Sequence, residues 1–277
     1  MEFKTISDGS RPFVVSQEGV GPDVVLIHGF PDTPYSFEEL QQQLVRAGWR
    51  VTVPWLRGYH PATIVPGRPY DFETIGRDGL ALLDAIGAPR AVVVGHDWGA
   101  LIAYVMATLA PERTRGIVTL AIPHPSVLER TPASLFAARH FFALKLPWAD
   151  RSLSRRDFAY LETLYRRWAP NWSGPQRDTS VRLAKQALST RATLAAAVDY
   201  YRALPLGGSR LLDTPPPVPC LCVGGTADIV DAKLFELSAV LFPQPSRALI
   251  VERAGHWPHR EDAPRVLGEI VAFAGAL

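Results

Sequence analysis

Ala91-Val92-Val93-Val94-Gly95-His96-Asp97-Trp98-Gly99-Ala100 runs straight into the apolar segment Leu101–Leu109. Four residues suited to a buried strand lead into a turn, and a helix begins at once. A carboxylate sits at the centre of that turn with a glycine two residues before it and another two after. In a strained strand-to-helix turn, side chains at those two positions would collide with neighbouring backbone, which is the steric reason for both glycines. Asp97 occupies the place where a nucleophilic serine usually stands in the G-x-S-x-G elbow. The plainer reading of Asp97 is an N-cap for the following helix, and the short motif alone leaves the two readings balanced.

The rest of the chain gives that turn its setting. Short runs rich in Val, Ile and Leu occur at Pro12–Ser16, Val24–His28, Arg50–Pro54, Ala91–Gly95, Gly116–Ile122, Val218–Gly224 and Arg247–Glu252. Several have almost no polar break, as expected of parallel strands covered on both faces. Between them the spacing predicts helices at Ser36–Ala47, Phe72–Ile86, Trp98–Leu109, Asp231–Leu241 and Asp262–Phe273. Phe72–Ile86 places Phe72, Ile75, Leu83 and Ile86 on an apolar face and stops at Gly87 with Pro89 beyond. This alternation implies an α/β fold with a mostly parallel central sheet. It breaks between Pro123 and Pro219, where helices are predicted at Arg155–Trp168 and Ser180–Ala203 and no strand is. The expected organisation is a core in two parts, residues 1–124 and 215–277, with a helical cap, residues 125–214, over the carboxyl edge of the sheet. Ligands of open α/β sheets bind at that edge. The cap stretch is rich in aromatic residues, among them Phe136, Phe141, Phe142, Trp148, Trp168, Trp172 and Tyr201. Most are expected to fill the cap's own core and a few to line an apolar pocket.

Two further strand ends carry chemistry. Gly224-Gly225-Thr226-Ala227-Asp228 closes one strand, and Ala254-Gly255-His256-Trp257-Pro258-His259 follows the last. A nucleophile, an imidazole and an acid that orients it thus occur as Asp97, His256 and Asp228, each just beyond a strand, an arrangement hard to reconcile with three unrelated core residues. His28-Gly29-Phe30-Pro31 follows the strand at Val24. In this architecture the backbone N–H groups of Phe30 and Trp98 converge as an oxyanion hole.

Over nearly its whole length the chain resembles the α/β-hydrolase superfamily. Within it, His28–Pro31, Gly95–Ala100, Gly255–Glu261 and the Leu56-Arg57-Gly58-Tyr59 stretch are similar to motifs of epoxide hydrolases and their haloalkane-dehalogenase relatives. The resemblance implies conversion of a small or mid-sized apolar epoxide to a vicinal diol through an alkyl ester on Asp97. It also implies two acidic donors on the cap. Asp199-Tyr200-Tyr201-Arg202 places Tyr201 on one of those positions. Phe142–Pro147 resembles the segment that fixes the other, and puts His140 where a tyrosine is the rule. A haloalkane or haloacetate dehalogenase with the same triad is an alternative, with Trp148 or Trp172 as a further leaving-group donor. A ligand-binding hydrolase-fold protein without catalysis is another.

Composition excludes several classes. Among 277 residues, 29 Lys and Arg oppose 27 Asp and Glu, and the basic residues are dispersed, which speaks against nucleic acid as a partner. No apolar run is long enough for a membrane span, and Met1–Pro12 has no signal-peptide pattern. Cys220 and Cys222 alternate along one strand and are expected to be free buried thiols, in keeping with a cytoplasmic location. No metal or organic cofactor is implied, and His259, three residues past His256, is expected to be structural. The partners are then a small apolar substrate and water, and nothing in the sequence decides against a homodimer.

Overall fold

A computed structural model describes residues 1–67, 69–128, 131–205 and 209–277. Residues 129–130 and 206–208, which fall in the stretch read as cap, lie outside the described residues. Eight strands form one sheet in the order β1-β2-β4-β3-β5-β6-β7-β8. They are β1 (Lys4–Ser7), β2 (Pro12–Glu18), β3 (Asp23–Ile27), β4 (Arg50–Pro54), β5 (Ala91–His96), β6 (Thr114–Leu120), β7 (Cys220–Gly225) and β8 (Arg247–Val251). Pairings from β4 through β8 are parallel, and β1 and β2 add an antiparallel edge. Strand β5 is buried along its whole length, with β3 and β6 on either side. Its near-unbroken apolar run is the consequence of having both faces covered.

The core helices are α1 (Glu38–Arg46), α2 (Phe72–Ala85) and α3 (Trp98–Leu109), with α9 (Lys233–Ala239), α10 (Pro258–Glu261) and α11 (Ala263–Gly275) after the cap. Residues on alternate sides of the strands feed two apolar layers. Val25, Val93 and Ile117 pack with α2 and α3, whereas Val24, Val92 and Val118 pack with α1 and α11. That alternation is the two-residue period of a strand.

Between β6 and β7 come α4 (Pro132–Ala137), α5 (Arg139–Lys145), α6 (Ala149–Trp168), α7 (Pro175–Ala187) and α8 (Arg191–Ala203), with no strand among the described residues of that stretch. The helix expected over Ser180–Ala203 is in fact two. Thr190 adopts an extended conformation and its side chain accepts the Thr193 N–H at 3.1 Å, starting a new helix after α7 has ended. Helix α6 is also interrupted, with Arg156, Asp157 and Phe158 at positive φ. Strand β1 was not expected. It is a short, mostly exposed edge strand with a polar sequence, so it lacks the apolar signal that marks its neighbours. Phe136, Phe142 and Trp148 lie about half or more exposed on the cap and so belong neither to its core nor to a pocket.

The steric reading of the elbow holds. Asp97 has φ 53°, a conformation uncommon outside glycine. A Cβ at Gly95 would run into the Gly99 carbonyl, and one at Gly99 into the Ile27 carbonyl, both rigid backbone. Gly99→Ala is therefore expected to destabilise the fold by about 2 kcal/mol or more, read as a lower urea midpoint. An unchanged midpoint would show that the turn has slack.

Candidate active site

Strand ends at the carboxyl edge bring the predicted residues together. Asp97 leaves β5, and its Oδ1 accepts the Phe30 N–H at 2.8 Å from the turn after β3. Asp228, beyond β7, is positioned by its own backbone: Oδ1 accepts the Ile229 N–H at 2.6 Å. Its Oδ2 faces His256 Nδ1 at 3.0 Å, while His256 Nε2 stands 3.5 Å from Asp97 Oδ2. The imidazole thus lies between two carboxylates, one bonded to it and one across the pocket.

Several contacts hold that imidazole. The His256 N–H donates to the Trp168 carbonyl at 2.8 Å, tying the loop to the end of α6. His96 Nε2 donates to the His256 carbonyl at 2.8 Å, and His96 Nδ1 lies 3.4 Å from Asp32 Oδ2. Glu261 accepts the N–H groups of Gly255 and Trp257 at 2.8 and 3.0 Å, which closes the loop on both sides of His256. The local sequence marks no site role for Trp168, Asp32 or His96. Trp168 carries no motif, and the His96–His256 contact joins residues 160 apart.

Electrostatics follows from this geometry. Burial alone would raise the Asp97 carboxyl, but His256, His96 and the Phe30 N–H hold it below the ordinary aspartate value. Burial would lower His256, yet Asp228 and Asp97 outweigh it and carry the imidazole up to about 10. The resting pair is then carboxylate and imidazolium. The other histidines go the opposite way. Burial lowers His28 to about 4, and its ring is spent on the Gly29 carbonyl and the Leu56 N–H. His259 is pushed well below 6.5 by burial and packs as a neutral ring against Phe37.

These shifts set a stability profile. A histidine raised on folding contributes stability that is complete below about 6.5 and lost as pH rises through about 10. His28 and His140, lowered to about 4 and about 3, bind their protons more readily when unfolded, so stability also falls as pH drops from about 6.5 through about 4. Chemical denaturation across pH should give a maximum near neutrality. In His256→Gln the alkaline decline should flatten, and an unchanged decline there would show that His256 does not cause it.

The cap supplies the opposite wall. Tyr201, on α8, is buried with its ring edge-on to Phe30 at 5.3 Å and to Trp98 at 5.1 Å. Burial pushes its phenol well above 10, and the Asp97 charge adds to this. His140, on α5, is buried too, edge-on to Trp168 at 4.7 Å and 6.3 Å from the Tyr201 ring. Burial lowers it to about 3, so it is an uncharged imidazole at neutral pH. Trp168 reaches His256 as well, with ring centroids 4.9 Å apart. Of the two tryptophans considered as extra donors, Trp148 is exposed, and Trp172 packs beside Trp257 instead. Among the described residues beside the triad, the indole N–H groups of Trp98, Trp168 and Trp257 are buried without a hydrogen-bond partner.

Comparison with known proteins agrees with this picture. A family model described as alpha/beta hydrolase fold matches residues 22–263. The chain is 29% identical to the AB hydrolase superfamily protein YfhM of Bacillus subtilis, over 91% of this chain and 89% of that protein. It is 28% identical to Epoxide hydrolase A of Mycobacterium tuberculosis, over 98% and 96% of the two. In fold it is similar to the crystal structure of Epoxide Hydrolase A from Mycobacterium thermoresistibile, with a TM-score of 0.81 at 24% identity over 98% and 97% of the chains.

Proposed function

This chain belongs to the alpha/beta hydrolase fold family, and from that premise we propose that it is an epoxide hydrolase acting through a covalent ester on Asp97. The observation that carries the reading is the imidazole of His256 set between Asp228 at 3.0 Å and Asp97 at 3.5 Å, under a cap that presents a buried tyrosine. An epoxide hydrolase among its relatives, matched nearly end to end, supports the choice of substrate class. Residues 1–124 and 215–277 serve as the core and residues 125–214 as the cap.

In the first step, an Asp97 oxygen attacks an epoxide carbon and the ring C–O bond breaks toward the cap. Tyr201, kept protonated by burial, gives its proton to the emerging alkoxide, which is far more basic than a phenolate. His140 contributes a hydrogen bond from a neutral imidazole rather than a proton. Esterification removes one of the two charges that keep His256 protonated, so its pKa falls, its proton passes through solvent to the Tyr201 phenolate, and the neutral imidazole becomes the base for the second step. Water then loses a proton to His256 and attacks the ester carbonyl. The N–H groups of Phe30 and Trp98 receive the developing negative charge, an effect worth about 3 kcal/mol per donor in other hydrolases. Collapse releases the diol and restores the carboxylate.

Turnover of styrene oxide to its diol tests the assignment. Tyr201→Phe should slow alkylation by about 10²-fold or more while leaving ester hydrolysis nearly unchanged, a split that pre-steady-state quenching resolves. Equal slowing of both steps would remove Tyr201 from the ring-opening role. The apolar lining from Phe30, Phe141 and Trp168 suits an apolar substrate.

A second reading has its own observation. The buried, unpartnered indole N–H groups of Trp98 and Trp168 would suit a departing halide. Bromide release from a bromoalkane, or fluoride from fluoroacetate, at rates above epoxide opening would favour dehalogenation. Among the described residues no helix is long and apolar enough to cross a membrane. We place the protein in the cytoplasm, supported by two free buried thiols. The homodimer reading has support in the exposed Phe136, Phe142 and Trp148 of the cap, and sedimentation equilibrium would test it.

A further inference from the structure

A second cluster of buried charge lies away from the triad, on the α2 side of the sheet. Arg11, just before β2, and Arg57, in the turn after β4, both pair with Asp78 on α2. Arg57 binds it through two nitrogens, each at 2.5 Å. The two guanidinium side chains are 2% and 1% exposed. Two buried cations therefore share one carboxylate and leave a net positive charge, which is costly in a low-dielectric interior. Asp199, beside Tyr200 on α8, is engaged by Arg202 at 3.0 Å. Arg11 Nε and Arg57 Nη1 are buried donors without a protein partner. Both arginines and Asp78 line a cavity of about 30 Å³, whose other walls include Phe13, Trp55, Leu82 and Tyr200.

We propose that this cavity is a binding site for one small monovalent anion of chloride size, held by Arg11 and Arg57. Charge, spare donors and volume point the same way. The anion would neutralise the excess charge and accept the unused N–H groups, and the cavity is large enough to admit an ion of that size. Apart from Asp78 and the two arginines the wall is mainly apolar, which disfavours a larger oxyanion, whose extra lone pairs would find no donors. The site also bears on the cap. The Tyr200 hydroxyl donates to the Arg57 carbonyl at 3.0 Å, and Tyr200 precedes Tyr201 on α8. An anion that fixes Arg57 would steady the seat on which α8 rests.

The test uses the intact protein. Raising chloride from about 1 to about 100 mM, with gluconate holding ionic strength constant, should lift the thermal midpoint by about 3 °C. Arg11→Gln should lose that chloride-dependent rise. Crystals of the unmodified protein grown with sodium bromide should show an anomalous peak within hydrogen-bonding reach of Arg11 Nε and Arg57 Nη1. An equal chloride response in Arg11→Gln would overturn the proposal. So would the absence of a bromide peak at this site, whatever the melting curves show. If Arg11→Gln does not fold, the bromide crystal decides.

Discussion

His256→Gln is expected to stop turnover while leaving the enzyme able to react once, so that it accumulates as an alkyl ester. The two steps make different demands on this residue. Attack by Asp97 needs a free carboxylate and a proton for the alkoxide, which in the proposed mechanism comes from Tyr201 on the cap. Hydrolysis needs a base beside the ester carbonyl, and Nε2 of His256 is the nitrogen that faces Asp97, at 3.5 Å. Losing a positioned general base typically costs about 10²- to 10⁴-fold. Intact mass spectrometry should show one equivalent of added epoxide mass persisting for many normal turnover times. The adduct should map to the peptide containing Asp97. A variant that stays unmodified under excess epoxide would mean that His256 is required for the alkylation itself. Adduct on another residue would move the nucleophile.

Asp97→Asn is expected to lower turnover by about 10⁴-fold or more, with the fold retained. The amide is nearly the same shape, and its oxygen can still accept the Phe30 N–H that Oδ1 accepts now. It is no longer an anion, so it cannot attack an epoxide carbon at a useful rate. One of the two charges that carry His256 to about 10 disappears with it. The loss of activity should therefore come with a measurable drop in the His256 pKa, visible by NMR of the imidazole. Residual activity near that of the unmodified enzyme would remove Asp97 from the mechanism. A silent His256 titration would show that Asp228 alone sets the imidazole charge.

What could be read from the sequence was concentrated at strand ends. The glycines around Asp97 are required by steric contact with backbone, and such requirements leave a local signature. His256 and Asp228 each follow an apolar strand in the same way. Tyr201 and His140 are marked only by the resemblance of Asp199–Arg202 and Phe142–Pro147 to family cap motifs, not by any local steric requirement. The rest depends on contacts that no local pattern encodes. Trp168 holds the His256 N–H by its carbonyl, which any residue could supply there. Asp32 meets His96, and His96 meets His256, only after the sheet has assembled. Thr190 splits a continuous helical periodicity because its hydroxyl caps a new first turn, a choice that tertiary packing decides. Strand β1 gains its structure from pairing with β2 rather than from its own polar residues.

Mass analysis after a single turnover in heavy-oxygen water tests the covalent route most directly. Water attacks the carbonyl of the Asp97 ester, so the peptide containing Asp97 should gain one heavy oxygen while the first diol released carries none. Label found in the diol and absent from Asp97 would mean that water opens the epoxide directly, and the ester would have no place in the reaction.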